Sequence, residues 1–493
     1  MVAKLNDEQR VIYEKIVHMV CNKESGLFFV YGHGGTGKTY LWRTIISKLR
    51  SEGKIVLAVA SSGIASLLLS NGRTAHSRFR IPLDITDSST CKISKGTQLA
   101  KLVQKTELII WDEAPMTNRC CFESLDKSLQ DIVPRCSSSG SVLPFGGIPI
   151  LLGGDFRQIL PVIPGGTKAQ IVDATLNNSE LWRLFQVFYL KTNMRLLRED
   201  LSMQEKQEIS EFANWLLKIG DGDICDANYN NDLDTSWIQI PDEMLISNYD
   251  DPIASIFEAT FPDFINNYNN LDYIRERAIV TPTNTIVHEI NKFAVNLIPG
   301  KAVTYRSHDT ICPTNENADS LSVLYPAEML NSLNFSGLPT HELVLKIGMP
   351  VMLMRNFNQT YGLCNGTRLI ITNLFGKIIE ARVITGSNIN EKFYLPRVIL
   401  SERDQRWPFK MLRRQFPIRP CYGMTINKSR GQSLKQVGLY LLQPVFSHGQ
   451  LYVALSRVIS KGGIKVIVNN EPESSNNLTK NIVYKDILEQ FRH

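Results

Sequence analysis

A glycine-rich loop near the N-terminus constrains the fold of this chain more than any other feature. The segment Gly32–Thr39, GHGGTGKT, fits the phosphate-binding pattern G-x-x-x-x-G-K-[ST] at every fixed position. The apolar run Leu27–Tyr31 before it predicts a buried strand, and apolar residues at helical spacing follow it over Leu41–Ile46. Strand, glycine loop and helix form the context in which this motif binds a polyphosphate. We therefore interpret the loop as a nucleotide site rather than as a flexible glycine turn.

The residues of the loop have separate expected roles. Its backbone N–H groups would turn towards the phosphates, and the positive end of the following helix would add to the attraction. Lys38 would reach the β- and γ-phosphates, and Thr39 would hold Mg²⁺ through its hydroxyl. The sequence thus predicts ATP and Mg²⁺ as ligands. The cofactor-binding candidates in the loop are Gly32, Gly34, Gly35, Thr36, Gly37, Lys38 and Thr39.

Length and composition set further limits. A chain of 493 residues predicts two or more domains, and its 43% hydrophobic and 21% charged residues are typical of globular proteins. No apolar run approaches the roughly 20 residues that span a bilayer. Nine cysteines without framework or metal spacing predict reduced thiols and argue against zinc. A net charge of +6 permits nucleic-acid binding without requiring it.

The first part of the chain, residues 1–195, has the pattern of a parallel α/β sheet. Its predicted strands are Leu27–Tyr31, Ile55–Ala60, Leu108–Trp111 and Ile148–Leu152. A polar stretch over residues 71–106 interrupts the alternation of strands and helices, and we expect it to be a small insertion.

A second α/β region is predicted over residues 196–342 and 411–493. A β-rich stretch, residues 343–410, divides it and predicts a small barrel from short β-branched runs separated by Gly and Asn turns. The predicted strands of the α/β part begin with Arg277–Val280 and continue with Val437–Leu442 and Ile464–Val468. The basic cluster Lys410–Arg414 lies at the end of the insertion and is expected to be a solvated face, with a DNA contact as the alternative.

Two further strand ends carry acidic and amide groups suited to hydrolysis. Asp112 and Glu113 follow an apolar strand, so Asp112 can position Mg²⁺ and Glu113 can orient or deprotonate a water. Paired acids also occur on surfaces, but the preceding phosphate loop favours the catalytic interpretation. Gln158 closes another strand, near the expected γ-phosphate, where its amide can donate and accept hydrogen bonds.

Arginines usually stabilise the transferring phosphoryl group from a second element or domain. Arg195 and Arg457 are candidates for this role, although spacing alone does not distinguish them from solvated surface arginines.

Taken in order, the motifs resemble one family, the petite-integration-frequency (PIF) helicases of superfamily 1B, especially plant members related to the Helitron transposon helicase. The resemblance covers nearly the whole chain. Leu5–Gln9 resembles the family's Q motif, Asp112–Met116 its motif II and Gly153–Val162 its motif III. The further segments that carry the resemblance are Ala60–Ser66, Thr74–Ser77, Thr281–Asn284, Gly348–Leu353, Thr425–Ser429 and Gln450–Arg457.

The resemblance implies a fold and a set of roles. The fold is α/β, with two RecA-like P-loop NTPase domains, a small insertion in the first and a β-rich, barrel-like insertion in the second. By the resemblance Gln9 reads the adenine edge, and Arg195 and Arg457 contact the γ-phosphate. The catalytic set becomes Lys38, Glu113, Gln158, Arg195 and Arg457, with Thr39 and Asp112 as metal ligands. The DNA-binding candidates are Ser62, His76, Phe79, Asn284 and Lys428, although packing is the simpler role for His76 and Phe79.

The implied activity is that of an ATP-dependent DNA helicase that moves 5′ to 3′ on single-stranded DNA. Forked or structured duplexes are the expected partners, with no membrane, and the expected state is a monomer that can form a DNA-induced dimer. The family acts in DNA repair, recombination, replication or telomere maintenance. We expect a nuclear location, with the mitochondrion as the alternative, since the N-terminal residues resemble neither a signal nor a transit peptide.

Two alternatives remain open, and one departure from the family pattern supports the first of them. Arg430 follows Lys428-Ser429, where the family usually has Gln, so the coupling of hydrolysis to DNA movement is in doubt. A degenerate transposon-derived protein that binds nucleotide or DNA without unwinding is the first alternative. A small-molecule kinase is the second, and the acid after Asp112, the candidate arginines and the second α/β region argue against it.

Overall fold

The structure is a computed structural model of the chain. It describes residues 1–133, 140–224, 234–247, 249–312, 324–335, 337–386, 388–403, 407, 409–469 and 477–491. Contacts between residues divide the chain into two compact units. The first comprises Met1–Gln239, Val445–Ser460 and Lys480–His493, and the second Ile240–Pro444 and Lys461–Thr479. Residues 445–460 and 480–493 thus group by contacts with the first unit, whereas the sequence pattern predicts them in the second domain. The division into domains stays a prediction.

The strands fall into one set that precedes residue 240 and one that follows it. The first set is β1 Leu27–Gly32, β2 Val56–Ala60, β3 Arg73–Thr74, β4 Leu108–Asp112, β5 Ile150–Gly154, β6 Gln186–Leu190 and β7 Thr235–Gln239. The second set is β8 Arg277–Thr281, β9 Val303–Arg306, β10 His308–Ile311, β11 Glu342–Leu345, β12 Pro350–Leu353, β13 Arg368–Leu374, β14 Ile378–Val383, β15 Lys392–Pro396, β16 Val398–Arg403, β17 Lys410–Gln415, β18 Ile418–Pro420, β19 Gly423–Thr425, β20 Gln436–Leu441, β21 Ile464–Val468 and β22 Leu478–Ile482.

The α-helices alternate with these strands over much of the chain. They are α1 Asp7–Cys21, α2 Lys38–Ser51, α3 Gly63–Leu67, α4 Ala75–Phe79, α5 Gln98–Gln104, α6 Arg119–Ile132, α7 Lys168–Asp173, α8 Met203–Asp221, α9 Pro252–Thr260, α10 Phe264–Asn267, α11 Leu271–Arg275, α12 Asn284–Leu297, α13 Ala327–Ser332, α14 Ile426–Ser429, α15 Gln450–Leu455 and α16 Lys485–Leu488.

The first unit is built on a six-stranded parallel sheet with the order β3-β2-β4-β5-β1-β6. Side chains of each strand alternate between two cores: Phe29 and Tyr31 face one, and Phe28 and Val30 face the other. Helices α5 and α6 cover the first core, and α1 and α2 cover the second. The predicted strands lie within two residues of the observed ones, and the predicted α/β sheet is confirmed.

The polar stretch 71–106 takes part in this sheet. Its residues Arg73 and Thr74 form β3, which pairs in parallel with Val59 and Ala60 at the edge of the sheet. The remainder supplies α4 and α5, and Ala100 and Val103 of α5 are buried in the core. A strand of two residues is too short to produce a pattern in the sequence, which is why the stretch resembles an insertion.

An aromatic stack joins the last described segment of the chain to the first unit. The Phe491 ring lies 4.9 Å from that of Tyr31 and 4.6 Å from that of Phe156, nearly parallel to both. Trp182 packs edge-on against Phe491 at 5.7 Å. Tyr31 precedes the glycine loop directly, so this packing supports the strand from which the loop begins.

The second unit combines a parallel and an antiparallel sheet around a shared core. The parallel sheet has the order β19-β8-β20-β21, and the larger antiparallel sheet has the order β15-β14-β13-β12-β18. Helices α9 and α12 contribute apolar side chains to the same core as both sheets. The predicted β-rich region is thus present as this antiparallel sheet, beside a smaller sheet with the order β10-β17-β16.

A fully buried arginine ties the antiparallel sheet to the α/β part of the second unit. Arg368 on β13 donates from Nη2 to the carbonyl oxygens of Ile274 at 2.9 Å and Arg277 at 3.0 Å. Its Nη1 donates to the carbonyl of Arg275 at 3.1 Å. These carbonyls lie at the end of α11 and the start of β8, where a helix leaves acceptors unsatisfied.

The prediction of a solvated face at the basic cluster Lys410–Arg414 is wrong for part of that cluster. It forms most of β17, and successive side chains of a strand point to opposite sides. Arg414 is exposed, whereas Arg413 is fully buried and forms a bidentate ion pair with Asp309, at 2.9 and 2.6 Å. Arg413 also donates to the carbonyl of Pro339 at 2.9 Å. It is a structural residue, and only part of the cluster reaches solvent.

Removing the Arg413 side chain should leave Asp309 charged and buried without its partner. We expect Arg413→Ala to lower the free energy of unfolding by about 3–5 kcal/mol, measured by equilibrium urea unfolding. Arg414→Ala is the matched control, since the next residue on the same strand is exposed, and its effect should stay within about 0.5 kcal/mol. Equal effects of the two substitutions would contradict this account of the pair.

Candidate active site and nucleic-acid surface

Three of the predicted motifs lie at one edge of the first parallel sheet. The glycine loop follows β1, Asp112 ends β4 and the segment that contains Gln158 follows β5. Strand β5 lies between β4 and β1, with Tyr31 opposite Gly154 and Trp111 opposite Leu152. Because parallel strands present their carboxyl ends at the same edge, the three motifs face a common space.

The glycine loop leads directly into α2. Gly37 has φ +80°, a left-handed conformation that favours glycine, and α2 begins at Lys38. The Lys38 ammonium donates to the carbonyl oxygen of His33 at 3.2 Å and also to that of Gly32. It therefore lies against the inner side of the loop, and it is close enough to Asp112 to favour the charged form of that carboxyl.

Gln9 is held against the glycine loop by hydrogen bonds at both ends of its amide. Nε2 donates to the carbonyl of Thr36 at 3.0 Å, while Oε1 accepts from the backbone of Asn6 as part of a capping box. A Cβ at Gly37 would collide with this amide. Since the amide is fully buried and engaged within the protein, the contact of Gln9 with adenine stays a prediction.

Asp112 and Glu113 differ in burial and in backbone conformation. Asp112 is 4% exposed, and within the described part of the chain its Oδ1 has no hydrogen-bond donor. Burial, reinforced by the charge of Glu113, raises the pKa of Asp112 to about 6. Glu113 is half-buried and has φ +57°, an uncommon conformation for a residue other than glycine. Such strain is typical of functional sites.

The segment after β5 is fixed by a buried network. Asp155 is fully buried and accepts a hydrogen bond from the hydroxyl of Tyr452 at 2.9 Å. Arg157 pairs with Asp221 at 2.7 Å and lies 3.7 Å from Asp155. Gln158 is 6% exposed, and its Oε1 has no donor among the described residues. The network holds the backbone on which Gln158 is placed, and leaves its amide oxygen available.

A buried histidine adds a second tie to this segment. His448 accepts at Nδ1 from the backbone N–H of Tyr484 at 2.8 Å, so its proton lies on Nε2, which donates to the carbonyl of Phe156 at 2.8 Å. Burial lowers the pKa of His448 to about 4, so the ring is neutral at physiological pH. The next residue, Gly449, has φ +70° and lies so close to the carbonyl of Arg157 that a Cβ would collide with it.

Arg195 lies over the glycine loop. A Cβ on Gly35 would be 3.3 Å from the Arg195 Nε, and the backbone N–H of Met194 donates to the carbonyl of Gly35 at 2.9 Å. Burial lowers the pKa of Arg195, yet it remains charged, and no ion pair joins it to a carboxylate in the described ranges. A small cavity beside the loop is lined in part by apolar side chains of α8 and in part by polar residues, namely His33, Asn193, Arg195, Tyr452 and Ser456.

Arg457 follows α15 in the same unit. Its Nε donates to the carbonyl of Val453 at 2.8 Å, and its Nη2 to the hydroxyl of Ser456 at 2.9 Å. Ser456 lines the cavity beside the glycine loop, so the end of α15, just before Arg457, borders the same space as Arg195. The structure thus brings the segment of Arg457 near the loop, while a contact with the γ-phosphate stays a prediction.

The two DNA-binding candidates of the second unit each contact an uncharged or basic neighbour. The Lys428 ammonium donates to Oδ1 of Asn365 at 3.0 Å, and Arg419 donates to Oδ1 of Asn284 at 3.4 Å. Burial, together with the charges of Arg419 and Arg355, lowers the pKa of Lys428 to about 8. Because amides do not neutralise these cations, the cluster stays positive and suits an anionic ligand.

The candidates of the first unit have structural contacts. Ser62 caps α3, accepting from the backbone N–H of Ala65 at 3.2 Å. Phe79 is fully buried and packs on Trp111 with ring centroids 6.4 Å apart, so its ring belongs to the core and the packing alternative describes it. His76 is half-buried, and burial lowers its pKa.

Several residues of the site escape sequence reasoning. Tyr452, His448 and Asp155 act through contacts between segments almost 300 positions apart, for which one sequence has no local signal. Arg419 lies in the short strand β18, and only its spatial proximity to Lys428 identifies it. Arg157 belongs to the recognised segment Gly153–Val162, but the sequence does not indicate that its ion-pair partner is Asp221.

The donors present fit a divalent cation. Mg²⁺ takes hard oxygen ligands, often one or two from carboxylate and hydroxyl groups, with water and phosphate completing the shell. Asp112 offers a buried oxygen without a donor, and Thr39 offers a hydroxyl in the first turn of α2. A cation there would relieve the energetic cost of the buried carboxylate.

Fold and site together define a P-loop nucleotide hydrolase of the helicase type. A family model described as PIF1-like helicase matches residues 4–230, and one described as the 2B domain of DNA helicase Pif1 matches residues 328–374. Together they cover more than half of the chain, and the chain belongs to the PIF1-like helicase family. The predicted helicase class and its dependence on ATP are thereby confirmed.

Similarity to individual proteins extends over most of the chain. ATP-dependent DNA helicase Pif1 of Campylobacter jejuni is 26% identical, over 89% of this chain and 88% of its own length. ATP-dependent DNA helicase PIF1 of Danio rerio is 25% identical over 94% of this chain, which spans only 61% of that relative. The crystal structure of Bacteroides Pif1 bound to ssDNA is similar with a TM-score of 0.66 and 22% identity, covering 99% of this chain and 96% of that one. This likeness confirms the predicted fold class. In the described residues, no helix is long and apolar enough to cross a membrane.

Substituting Asp112 should remove the energetic cost of its buried charge and so change the pH dependence of stability. The folded state raises the pKa of Asp112 above its ordinary value. The protonated carboxyl therefore contributes fully to stability below about pH 4, and this contribution is lost as pH rises through about 6. We expect Asp112→Asn to increase the free energy of unfolding at pH 8 by about 1–3 kcal/mol, with a gain that disappears towards pH 4.

Asp221→Asn is the control for this prediction, since it removes the ion pair with Arg157 and should not stabilise the protein at pH 8. Urea unfolding at the two pH values measures both variants. A gain for Asp112→Asn that persists at pH 4 would show that the buried charge is not its cause.

Proposed function

We propose that this protein is an ATP-dependent DNA helicase that couples ATP hydrolysis to movement along single-stranded DNA. The observation that carries the proposal is the common edge of the first sheet, where the glycine loop, Asp112 with Glu113, and Gln158 meet. Family membership supports the same activity, and the relatives named above are ATP-dependent DNA helicases.

In this proposal each residue at the edge has a defined part in hydrolysis. Lys38 binds the β- and γ-phosphates, and Glu113 orients the attacking water and accepts its proton. Thr39 and Asp112 would hold Mg²⁺, which supplies positive charge to the phosphate oxygens when it is bound. The amide oxygen of Gln158, which has no donor among the described residues, accepts a hydrogen bond from the water and helps to position it.

Arg195 and Arg457 stabilise the charge that develops on the γ-phosphate. Arg195 lies over Gly35 with a charge that no carboxylate neutralises in the described ranges, which suits a polyphosphate. Helix α15, which precedes Arg457, is linked to the segment of Gln158 through the hydrogen bond of Tyr452 to Asp155. A change at the phosphate can therefore reach both segments together.

We assign DNA binding to contacts between the protein and the phosphodiester backbone, because sequence-independent movement requires such contacts. Lys428, Arg419 and Asn284 are the contacts proposed in the second unit, and the positive charges of Lys428 and Arg419 support this role. Ser62 and His76 remain proposed contacts in the first unit. Phe79 is withdrawn from this set because its ring is buried in the core.

The finer assignments rest on the motif resemblance. They are membership of superfamily 1B and of the plant group related to the Helitron helicase, movement from 5′ to 3′, action on forked or structured duplexes, and a monomer that can dimerise on DNA. A nuclear location and roles in repair, recombination, replication or telomere maintenance belong to the same proposal. The crystal structure of Bacteroides Pif1 bound to ssDNA supports single-stranded DNA as the partner.

The alternative of a binding protein without unwinding activity is not favoured. Its support is Arg430, which is 4% exposed at the end of α14, close to Lys428. An altered residue there bears on coupling, whereas Lys38, Asp112, Glu113 and Gln158 are all present at the hydrolytic site.

Strand displacement tests the proposed activity and its direction. The protein should unwind a duplex that carries a 5′ single-stranded tail, use ATP, and leave a duplex with a 3′ tail intact. Lys38→Ala should lower both unwinding and DNA-stimulated ATP hydrolysis by at least about 100-fold, because the β- and γ-phosphates lose the positive charge of the Lys38 ammonium. Lys48→Ala is the matched control in the same helix, as this solvent-accessible lysine pairs with Glu52.

Three results would contradict the proposal in different ways. Unwinding from the 3′ tail alone would overturn the direction, and unwinding by Lys38→Ala would overturn the mechanism. ATP hydrolysis that ignores single-stranded DNA and rises with a small acceptor would favour a kinase.

The lowered pKa of Lys428 predicts a pH-dependent affinity for DNA. Lys428 is charged below a pKa of about 8 and neutral above it, and Arg419 and Arg355 are the charged groups that lower this pKa besides burial. Affinity for single-stranded DNA should therefore fall about three- to tenfold as pH rises from 7 to 9.5, measured by fluorescence anisotropy. Lys428→Arg should remove most of this fall, because arginine stays charged over the range. The same pH dependence in both proteins would exclude Lys428 from the contact.

A further inference from the structure

A second basic cluster lies in the first unit, outside the hydrolytic site and the residues proposed above to bind DNA. It consists of Arg50, Arg73 and Arg78, hereafter the edge arginine cluster. Arg50 lies in the last turn of α2, Arg73 forms the first residue of β3, and Arg78 belongs to α4. Strand β3 is the outer strand of the six-stranded sheet, so the cluster lies at the edge of that sheet.

The cluster carries its charge without a carboxylate. Within the described ranges, no ion pair joins any of the three arginines to an acidic group. Arg50 donates to two backbone carbonyls, those of Ser70 at 3.1 Å and Val56 at 3.0 Å. These bonds use one donor on each of Nη1 and Nη2 and fix the position of the side chain, but they leave the positive charge in place.

Arg78 is the least satisfied member. Its side chain is half-buried, its Nε is buried, and in the part of the chain that is described it donates no hydrogen bond. Burial, together with the charges of Arg73 and Arg50, lowers the pKa of Arg78 to about 10. A half-buried cation beside two like charges is costly, and an anion that contacts all three would remove the cost.

The chemistry of guanidinium groups indicates which anion. Arginine presents a planar set of donors that matches phosphate oxygens, and a group of three suits a ligand with several phosphates in a row. We propose that the edge arginine cluster binds the phosphodiester backbone of DNA as a contact additional to those proposed for hydrolysis and translocation. This inference rests on the proposed function, which supplies the polyanion.

Two competing roles for the edge arginine cluster lead to different experimental results. Charged side chains on an outer strand also prevent strands of separate molecules from pairing, and in that case their loss promotes self-association. A site for free phosphate would use the same donors, but it would respond to inorganic phosphate rather than to DNA length or salt.

The salt dependence of DNA binding tests the proposal. Affinity of the full chain for a fluorescent single-stranded oligonucleotide is measured by anisotropy at salt concentrations from about 50 to about 300 mM, for two unrelated sequences. We expect Arg78→Gln to weaken binding about fivefold, equally for both sequences, and to reduce the slope of log affinity against log salt by about 0.7. Arg183→Gln is the matched control, as this exposed arginine of the same unit pairs with Glu180 and should leave the slope unchanged.

Arg73→Gln gives a second measurement that does not depend on a buried group. This exposed residue can be replaced without disturbing the core, and the substitution should reduce the slope in the same direction. An unchanged slope in both variants overturns the proposal. So does increased self-association with an unchanged slope, or a phosphate-induced rise in Tm that Arg78→Gln abolishes while the slope stays the same.

A failure of the proposal for the edge arginine cluster can be told apart from a failure of the proposed helicase function. If the unsubstituted protein shows DNA-stimulated ATP hydrolysis and the slopes of Arg78→Gln and Arg73→Gln match the control, the helicase function stands and the edge cluster is not a DNA contact. If the unsubstituted protein neither binds DNA nor responds to it, both proposals fail.

Discussion

The parallel register of β4, β5 and β1 is the constraint on which the hydrolytic site depends. Pairing of Trp111 with Leu152 and of Tyr31 with Gly154 brings three strand ends into one row. A shift of one strand by one residue would turn its side chains to the opposite core and move its terminal residues out of that row. The buried packing of both faces therefore fixes the site as firmly as it fixes the fold.

A buried or half-buried charge with an incomplete set of partners is the second property that two of the functional candidates share. Asp112 is a buried carboxylate with an oxygen that lacks a donor among the described residues, and Lys428 is a half-buried ammonium held by an amide. Each costs stability in the free protein, and each cost is removed when a ligand of opposite charge binds. The contrast is Arg413, whose buried charge is matched by Asp309 and whose role is structural.

Much of the hydrolytic site could be predicted, because its residues lie in short segments with local patterns. The run from Leu27 to Thr39 carries strand, loop and helix in sequence order, and the acids after β4 lie where an apolar run ends. The cluster at Lys410–Arg414 shows the limit of such reasoning. Its alternating burial depends on β17 pairing with β10 and β16, and the position of Asp309 about one hundred residues away has no local signal.

The contacts of the late segments show why coupling is harder to predict than chemistry. Tyr452 and His448 bind the segment of Asp155 and Phe156, and Phe491 packs on the strand before the glycine loop. None of these residues belongs to the hydrolytic set, yet they fix the backbone that carries Gln158 and the helix α15 that precedes Arg457. A displacement of that helix must break a buried hydrogen bond to a carboxylate, or carry the segment of Gln158 with it. Because movement of both segments together conserves the hydrogen bond of Tyr452 to Asp155, we expect α15 and the segment of Gln158 to move in concert when nucleotide binds.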